Sequence, residues 1–288
     1  MEILVTGVLL SGTYALIALG LTLQYGVARI MNLATGETLV AACFGAFWFF
    51  SALQIDPVAS LAFVAPIAFV VNWFVYSLLL RPLVKRARNR GQLEVDSILA
   101  TFGLMFLFQG LMLLGFGGEY FSYSFLAEPF DIFGSPFGLN RVVAFVAAVV
   151  IAGGLYLFLN HTRYGTAVRA VAVDPVSAGL VAIDVERASA FAFALGGALT
   201  AAAGGLLSTF YTFNASMGVV FTMKALIIVI MGGVGDVRGA VLAALILGVA
   251  ETTVASLVDP GLTLAATYSL FVLTLLFRPQ GIFGRRQA

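Results

Sequence analysis

The feature that most limits what this chain can become is the spacing of its apolar runs. Residues 3–23, 33–53, 57–80, 97–117, 142–159, 188–211, 240–257 and 262–277 form stretches close to the roughly 20 residues a helix needs to cross a bilayer. A ninth stretch, 216–234, is apolar but interrupted. Only 10% of the residues are charged and 61% are hydrophobic, against about 25% charged residues in a soluble domain. Such a chain cannot cover a water-facing surface. The expectation is a single all-α domain over 1–288, a polytopic transmembrane bundle of about eight to ten spans, with lipid as its solvent.

Several chemistries are excluded early. One cysteine, Cys43, and one histidine, His161, cannot build a disulfide framework or a His/Cys metal cluster. The two lysines, Lys85 and Lys224, do not follow glycine, so a phosphate-cradling loop is absent and ATP chemistry must reside on another chain. No nucleophile–base motif points to an intramembrane enzyme, no cofactor is expected, and a net charge of +1 makes no case for nucleic acid. The first apolar run lacks a basic n-region, so it reads as a retained helix rather than a cleaved signal.

Charge distribution orients the bundle. The connection 81–96 carries Arg81, Lys85, Arg86, Arg88 and Arg90, whereas 118–140 has no basic residue but holds Glu119, Glu128 and Asp131. Basic loops remain cytoplasmic, which places the first inside and the second outside. Counting from there puts the N-terminus and Asp56 outside, and Arg29, the connection 160–187 and the tail with Arg278, Arg285 and Arg286 inside. For the tail to end inside, residues 212–261 must contain two crossings. As one helix, 216–257 would measure about 63 Å, twice the hydrocarbon thickness. A break at 232–239, around Gly232, Gly233, Gly235 and Asp236, resolves both constraints and gives nine crossings, the first of this pair short or re-entrant.

Small residues recur every four positions at Gly196, Thr200, Gly204 and Ser208, at Ala244, Gly248 and Thr252, and at Gly7, Ser11 and Ala15. Such stripes let backbones approach closely in lipid, either within one subunit or at a seam between two. Polar groups in the spans divide the same way. Glu37, beside Asn32, Thr35 and Gly36, is either a pathway carboxylate next to unwound backbone or a charge favoured by a helix N-terminus. Lys224 either pairs with an acid, including a solute carboxylate, or snorkels to the interface. Glu251 pairs with a neighbouring helix, and Gln109 bonds across helices or touches solute. Unwound backbone at 232–239 is tolerated at membrane depth only where protein or a cavity surrounds it, and broken helices expose their ends to solutes.

The connection 160–187 has its own design. Asp174 is a good N-cap and Pro175 suits the first helical position. A two-turn helix through Gly179 should follow, with Asp184 as a second cap. Held between two spans, it is either a lever for a partner or a surface loop with helical content.

Within that connection, the run Arg163-Tyr164-Gly165, Arg169 to Asp174-Pro175, Ala178-Gly179 and Ala182 to Val185 resembles the cytoplasmic loop of branched-chain amino-acid ABC permeases. Gly12 to Thr22, Met31 to Glu37, Met223-Lys224-Ala225, Gly232 to Gly235 and Phe277 to Gly284 are similar to the family's landmarks, in order along nearly the whole chain. Thr35 stands where members carry His, and Gly235 to Gly239 replaces a rigid proline turn, so an Asp236–Arg238 interaction is expected to hold the break. The resemblance implies an importer of branched-chain or related amino acids in a bacterial-type cytoplasmic membrane. It implies a second, distinct permease subunit, two ATP-binding subunits and an extracytoplasmic solute-binding protein. Solute would pass Asn32, Thr35, Gly36, Glu37, Lys224, Gly232, Gly233 and Gly235. Arg163, Gly165, Arg169, Asp174, Pro175 and Gly179 would couple to the ATPases. The rival reading is a proton-coupled secondary transporter using Glu37 or Glu251.

Overall fold

In lipid every backbone N–H and C=O must be satisfied within the chain, and helices do so segment by segment. The computed structural model, which describes residues 1–87, 89–132, 135–278 and 280–283, is accordingly a helical bundle. Arg88, Pro279, Gly284, Arg285 and Arg286 lie outside the described residues. The helices are α1 (Glu2–Ala28), α2 (Thr35–Leu53), α3 (Pro57–Val75), α4 (Arg81–Arg86), α5 (Arg90–Phe116) and α6 (Leu139–His161). There follow α7 (Arg163–Val173), α8 (Pro175–Leu180), α9 (Val185–Leu207), α10 (Gly218–Gly232), α11 (Val237–Leu257) and α12 (Thr263–Phe277). A π-turn at Tyr76–Leu80 joins α3 to α4 without interrupting the rod. Strands β1 (Pro129–Ile132) and β2 (Ser135–Gly138) form an antiparallel hairpin in the acidic connection, an element the sequence reading lacked.

Among the described residues, eight helical segments are long and apolar enough to cross a membrane, and α10 is a shorter apolar helix of 15 residues. At 1.5 Å per residue α10 spans about 22 Å, less than the roughly 30 Å hydrocarbon core. The shortfall is tolerable because most of α10 is buried among other helices. The bundle is organised around α1 and α9. Of the most apolar 18 residues in each span, 83% are buried in α9 and 61% in α1, against 6% in the segment Pro260–Phe277 that contains α12.

The small-residue stripes create this centre. A Cβ on Gly196 would lie 2.4 Å from the Gly20 carbonyl oxygen on α1, and one on Gly204 would lie 2.2 Å from the Leu39 oxygen on α2. Gly248 on α11 meets Gly7 on α1 in the same way. All three contacts are within one chain, so these stripes serve internal packing.

Connections sort to two ends. At one end Arg81 and Lys85 pair with Glu186, Tyr25 donates to Glu94, Gly26 lies against Gly235, and the Ile282 amide donates to the Met231 carbonyl. At the other, Phe121 and Phe213 exchange amide hydrogen bonds and Asn140 donates to the Thr209 carbonyl. The basic connection and the acidic connection therefore lie at opposite ends of the bundle.

Candidate functional site

The first unusual backbone follows α1. Arg29 closes that helix with a left-handed conformation, φ 57°, and residues 30–32 have no helical ladder. Ile30 and Asn32 are nevertheless buried, so the orphaned amides and carbonyls require partners from other helices. They find them. Thr101 on α5 accepts from the Leu33 amide at 3.1 Å. Thr222 on α10 donates to the Leu33 carbonyl at 3.1 Å and accepts from the Gly36 amide at 2.9 Å. Asn32 donates to Gln24 at 3.0 Å and accepts from the Ala34 amide, while Gln24 donates onward to the Phe193 carbonyl on α9. Thr35 donates to the Asn32 carbonyl at 2.7 Å.

This connection delivers the start of α2 into the packed interior. A Cβ on Gly36 would sit 1.8 Å from the Gly218 carbonyl oxygen, so α2 and α10 touch backbone to backbone. The next residue, Glu37, is 0% exposed, and neither carboxylate oxygen has a hydrogen-bond partner among the described residues. Its oxygens pack against Gly218, where an added Cβ would lie 2.2 Å from Oε1. A cavity of about 170 Å³ lies among α2, α3 and α5, with Glu37, Thr38 and Asn72 in a wall that is otherwise apolar.

The predicted site residues thus fall into two groups. Asn32, Thr35, Gly36 and Glu37 come together at the first turns of α10. Gly232, Gly233 and Gly235 lie at the other end of that helix, about 21 Å along its axis. There Gly233 and Gly235 have φ of 103° and 81°, a region that L side chains rarely adopt. The break is not held by an Asp236–Arg238 side-chain pair. Asp236 instead caps α11, accepting from the backbone amides of Arg238 at 2.8 Å and Gly239 at 2.9 Å. A short acidic side chain before a helix satisfies those amides locally, which leaves the Arg238 guanidinium uninvolved in the turn.

Lys224 does not snorkel. It is 7% exposed and pairs with Glu251 on α11 at 2.8 Å, while donating to the Tyr14 hydroxyl on α1 at 2.7 Å. Tyr14 also donates to Glu251, and Thr267 on α12 donates to its other oxygen. Four helices meet on one ion pair. Lys224 is too far along α10 from either end for its four-carbon stem to compete with a partner at 2.8 Å. Gln109 is half-buried on α5.

At the basic end, α7 and α8 form a rigid projection. Thr162 caps α7 through the Gly165 amide, and Gly165 packs so tightly on α6 that a Cβ would lie 2.3 Å from the Phe158 oxygen. Asp174 caps α8 as expected, accepting from the Val176 amide at 2.9 Å and the Ser177 hydroxyl. Those bonds, Ser177 first, hold the fully exposed Asp174 carboxyl below its ordinary range. Asp184 caps α9 through the Arg187 amide. Val168 and Val171 anchor α7 to the bundle, whereas Arg163, Arg169 and Gly179 are exposed. So are Val173, Val176, Leu180 and Val181, between 69% and 84%.

Sequence reasoning missed Gln24, Thr101, Thr222, Tyr14 and Thr267. Each is a polar side chain inside an apolar run or, for Gln24, at its edge. Threonine in a helix usually satisfies itself on the preceding turn, so its presence alone distinguishes nothing.

Comparison with known proteins adds identity to this geometry. The family described as branched-chain amino acid transport system, permease component, matches residues 3–277. The high-affinity branched-chain amino acid transport system permease protein BraD of Pseudomonas aeruginosa is 32% identical over 98% of this chain and 95% of its own length. The corresponding protein LivH of Salmonella typhimurium is 29% identical over 97% and 94%. The probable branched-chain amino acid transport permease protein LivH of Methanocaldococcus jannaschii is 30% identical over 98% and 92%. No solved structure matches the chain.

Proposed function

Since the chain belongs to the branched-chain amino acid transport permease family, we propose that it is the pathway-forming subunit of an ATP-driven importer for branched-chain or related amino acids. As a permease component it is a non-catalytic, multi-pass membrane subunit. In this reading it lies in a bacterial-type cytoplasmic membrane, N-terminus outside and C-terminus inside. It works with a second, distinct permease, two ATP-binding subunits and an extracytoplasmic binding protein. Solute passes the α1–α2 connection, where Asn32, Thr35, Gly36 and Glu37 meet α10. The break at Gly232, Gly233 and Gly235 terminates α10 and lets it shift as a unit, and Lys224 acts as a strut for that pathway. Transport follows from differential affinity of ligands for inward- and outward-open states.

The observation that carries this reading is the α7–α8 projection. Four aliphatic side chains, Val173, Val176, Leu180 and Val181, stand exposed on two short capped helices at the basic end. An apolar patch outside the spans marks a protein contact, and its rigid caps suit it to transmit force from an ATPase. Arg169 lies one helical turn before Val173 on α7, and Arg163 begins that helix.

Gly179→Trp tests this directly. The nearest atom to a Cβ at Gly179 is 4.0 Å away, on Val185, so the chain itself accommodates a side chain there. The variant should insert normally yet lose ATPase co-purification and solute-stimulated ATP hydrolysis together. Retention of both would remove α8 as the coupling element. Uptake by the chain under a proton gradient without ATPases would favour the secondary-transporter reading instead. Cysteines replacing Ser177 and Ser124 should be labelled only from the inside and only from the outside, respectively.

A further inference from the structure

The packing around Glu37 encloses it without satisfying it. The residue has no accessible surface, which leaves no room for a water molecule against it, and neither oxygen has a hydrogen-bond partner among the described residues. Donors in the vicinity are already committed. Thr222 donates to the Leu33 carbonyl, Thr38 to the Ala34 carbonyl and the Asn72 amide to the Ala68 carbonyl. Lys224 pairs with Glu251 at 2.8 Å. An ionised carboxylate so placed is strongly unfavourable, and the neutral acid carries an O–H that also needs an acceptor. In either form Glu37 penalises the packed arrangement relative to one in which water reaches it.

The same packing fixes where relief is available. Beyond its first turn α2 is held fast, since a Cβ on Gly204 of α9 would lie 2.2 Å from the Leu39 carbonyl oxygen. Helix α10 is tied at Lys224 to α1 and α11 through Tyr14 and Glu251. What precedes those anchors is less constrained. Both helices start without a side-chain cap, at Ala34 and at Met217, and both are entered from non-helical backbone, 29–34 and 208–217. The two uncapped first turns meet at Gly36 and Gly218, and Glu37 lays its carboxylate against Gly218. Thr222 closes this seam, accepting from the Gly36 amide at 2.9 Å and donating to the Leu33 carbonyl at 3.1 Å.

We propose that the first turns of α2 and α10 form a local gate, closed when Gly36, Glu37 and Gly218 are packed together, and that Glu37 biases this gate towards opening. Opening separates the two turns, breaks the bond between Gly36 and Thr222 and hydrates the carboxylate, while the anchors at Leu39 and Lys224 stay in place. The backbone contact favours closure and the buried carboxylate opposes it, so both states remain populated. An apolar side chain of similar length would remove that opposition and hold the seam shut. The gate itself stands on geometry. Its consequence, that access to the α1–α2 connection is controlled here, rests on the transport reading.

Amide hydrogen exchange read by mass spectrometry tests the gate, on the permease in lipid nanodiscs with its partner subunits. Buried amides exchange through local opening, so peptides covering 33–38 and 217–222 report on the seam. A peptide covering 238–245, at the Asp236-capped start of α11, serves as the reference. Glu37→Met keeps the length of the side chain and removes its polar atoms. It should slow exchange of the seam peptides by about tenfold or more, the shift that relief of one unpaired buried polar group produces. The reference should not change, and the melting temperature should rise. Glu37→Gln keeps an unpaired polar end and should stay close to the parent. Gly218→Ala should act in the opposite sense and speed seam exchange, since its Cβ would lie 2.2 Å from Glu37 Oε1 and press the turns apart. Seam exchange in Glu37→Met as fast as in the parent, or a lowered melting temperature, would overturn the assignment. Should Glu37→Met fail to fold, Gly218→Ala decides, because unchanged seam exchange there leaves no gate for the carboxylate to bias. ATP-driven uptake measured in parallel keeps the two readings apart. Uptake by the parent with no effect of Glu37→Met on exchange removes the gate and leaves the importer. Slowed exchange in Glu37→Met, beside a parent that shows no ATP-driven uptake, does the reverse.

Discussion

Glu251 and Glu37 are both carboxylates buried among apolar helices, at 3% and 0% exposure, yet their surroundings are opposites. Glu251 receives hydrogen bonds from Tyr14, Lys224 and Thr267, which reach it from α1, α10 and α12. Glu37 receives none. The difference teaches that burial of a charge does not by itself mark function. A fully satisfied pair is what a bundle uses to fix helices in register, whereas an unsatisfied one is maintained only if something else completes it. On this ground Glu251 is a structural tie, whereas Glu37 has no such partner among the described residues.

The sharpest way to break that contrast is to remove Lys224. Lys224→Met leaves Glu251 buried without its counter-charge, and breaking a buried pair from one side costs about 3–5 kcal/mol. Unfolding of the purified permease in mixed micelles should report a loss of that order, and the double variant Lys224→Met with Glu251→Leu should recover most of it. If the single variant is as stable as the parent, the four-helix tie is not structural and the distinction from Glu37 collapses.

A smaller effect is expected at the backbone contact beside Glu37. Gly36→Ala would place a Cβ 1.8 Å from the Gly218 carbonyl oxygen, an obstacle made of main chain rather than a movable side chain. Overpacking of this kind costs about 1–3 kcal/mol. The same unfolding measurement should show it, and uptake should fall because α2 and α10 separate. Wild-type stability would mean that the two helices slide freely.

Glu37→Gln should barely change stability, by less than about 1 kcal/mol, because it alters a carboxyl that no described residue pairs with. Uptake should nonetheless drop, by about tenfold or more. A variant as destabilised as Lys224→Met would show that Glu37 has a structural partner after all.

How far the sequence alone led is visible in the same residues. Spans and their alternation were legible because hydrophobicity and loop charge act locally and additively, and the caps Asp174 and Asp184 were legible because a cap acts within three residues. The cluster around Asn32 and Glu37 was half legible, since polar residues adjoining a glycine at the start of an apolar run stand out. Its completion by Gln24, Thr101 and Thr222 was not, because those residues are 8 to 190 positions from Asn32 and reach the connection, at Asn32, Leu33 and Gly36, only through packing. The choice between the two readings of Lys224 stayed open for the same reason. Its partner, Glu251, lies on the next helix, and periodicity within one span carries no information about which faces of two spans meet.

A third carboxylate extends the comparison into water and carries the smallest expected effect. Asp174 is fully exposed and partnered, accepting from Ser177 and the Val176 amide, which hold its carboxyl below the ordinary range. A carboxyl with a lowered folded-state pKa contributes stability that is present above its unfolded value and is lost as pH falls through the folded one. With the unfolded value near 3.9, the cap is fully made throughout the range from about pH 5 to 8. Coupling of ATP hydrolysis to solute should therefore show no Asp174-dependent change across that window. Asp174→Asn should behave like the parent, because the amide oxygen accepts the same Val176 amide bond and asparagine caps as well as aspartate. Asp174→Ala has no acceptor, and six-residue α8 is too short to persist without one. It should lose part of the solute-stimulated ATPase rate at every pH. A matching loss in Asp174→Asn would show that charge, rather than the cap, is what the partner reads at this position.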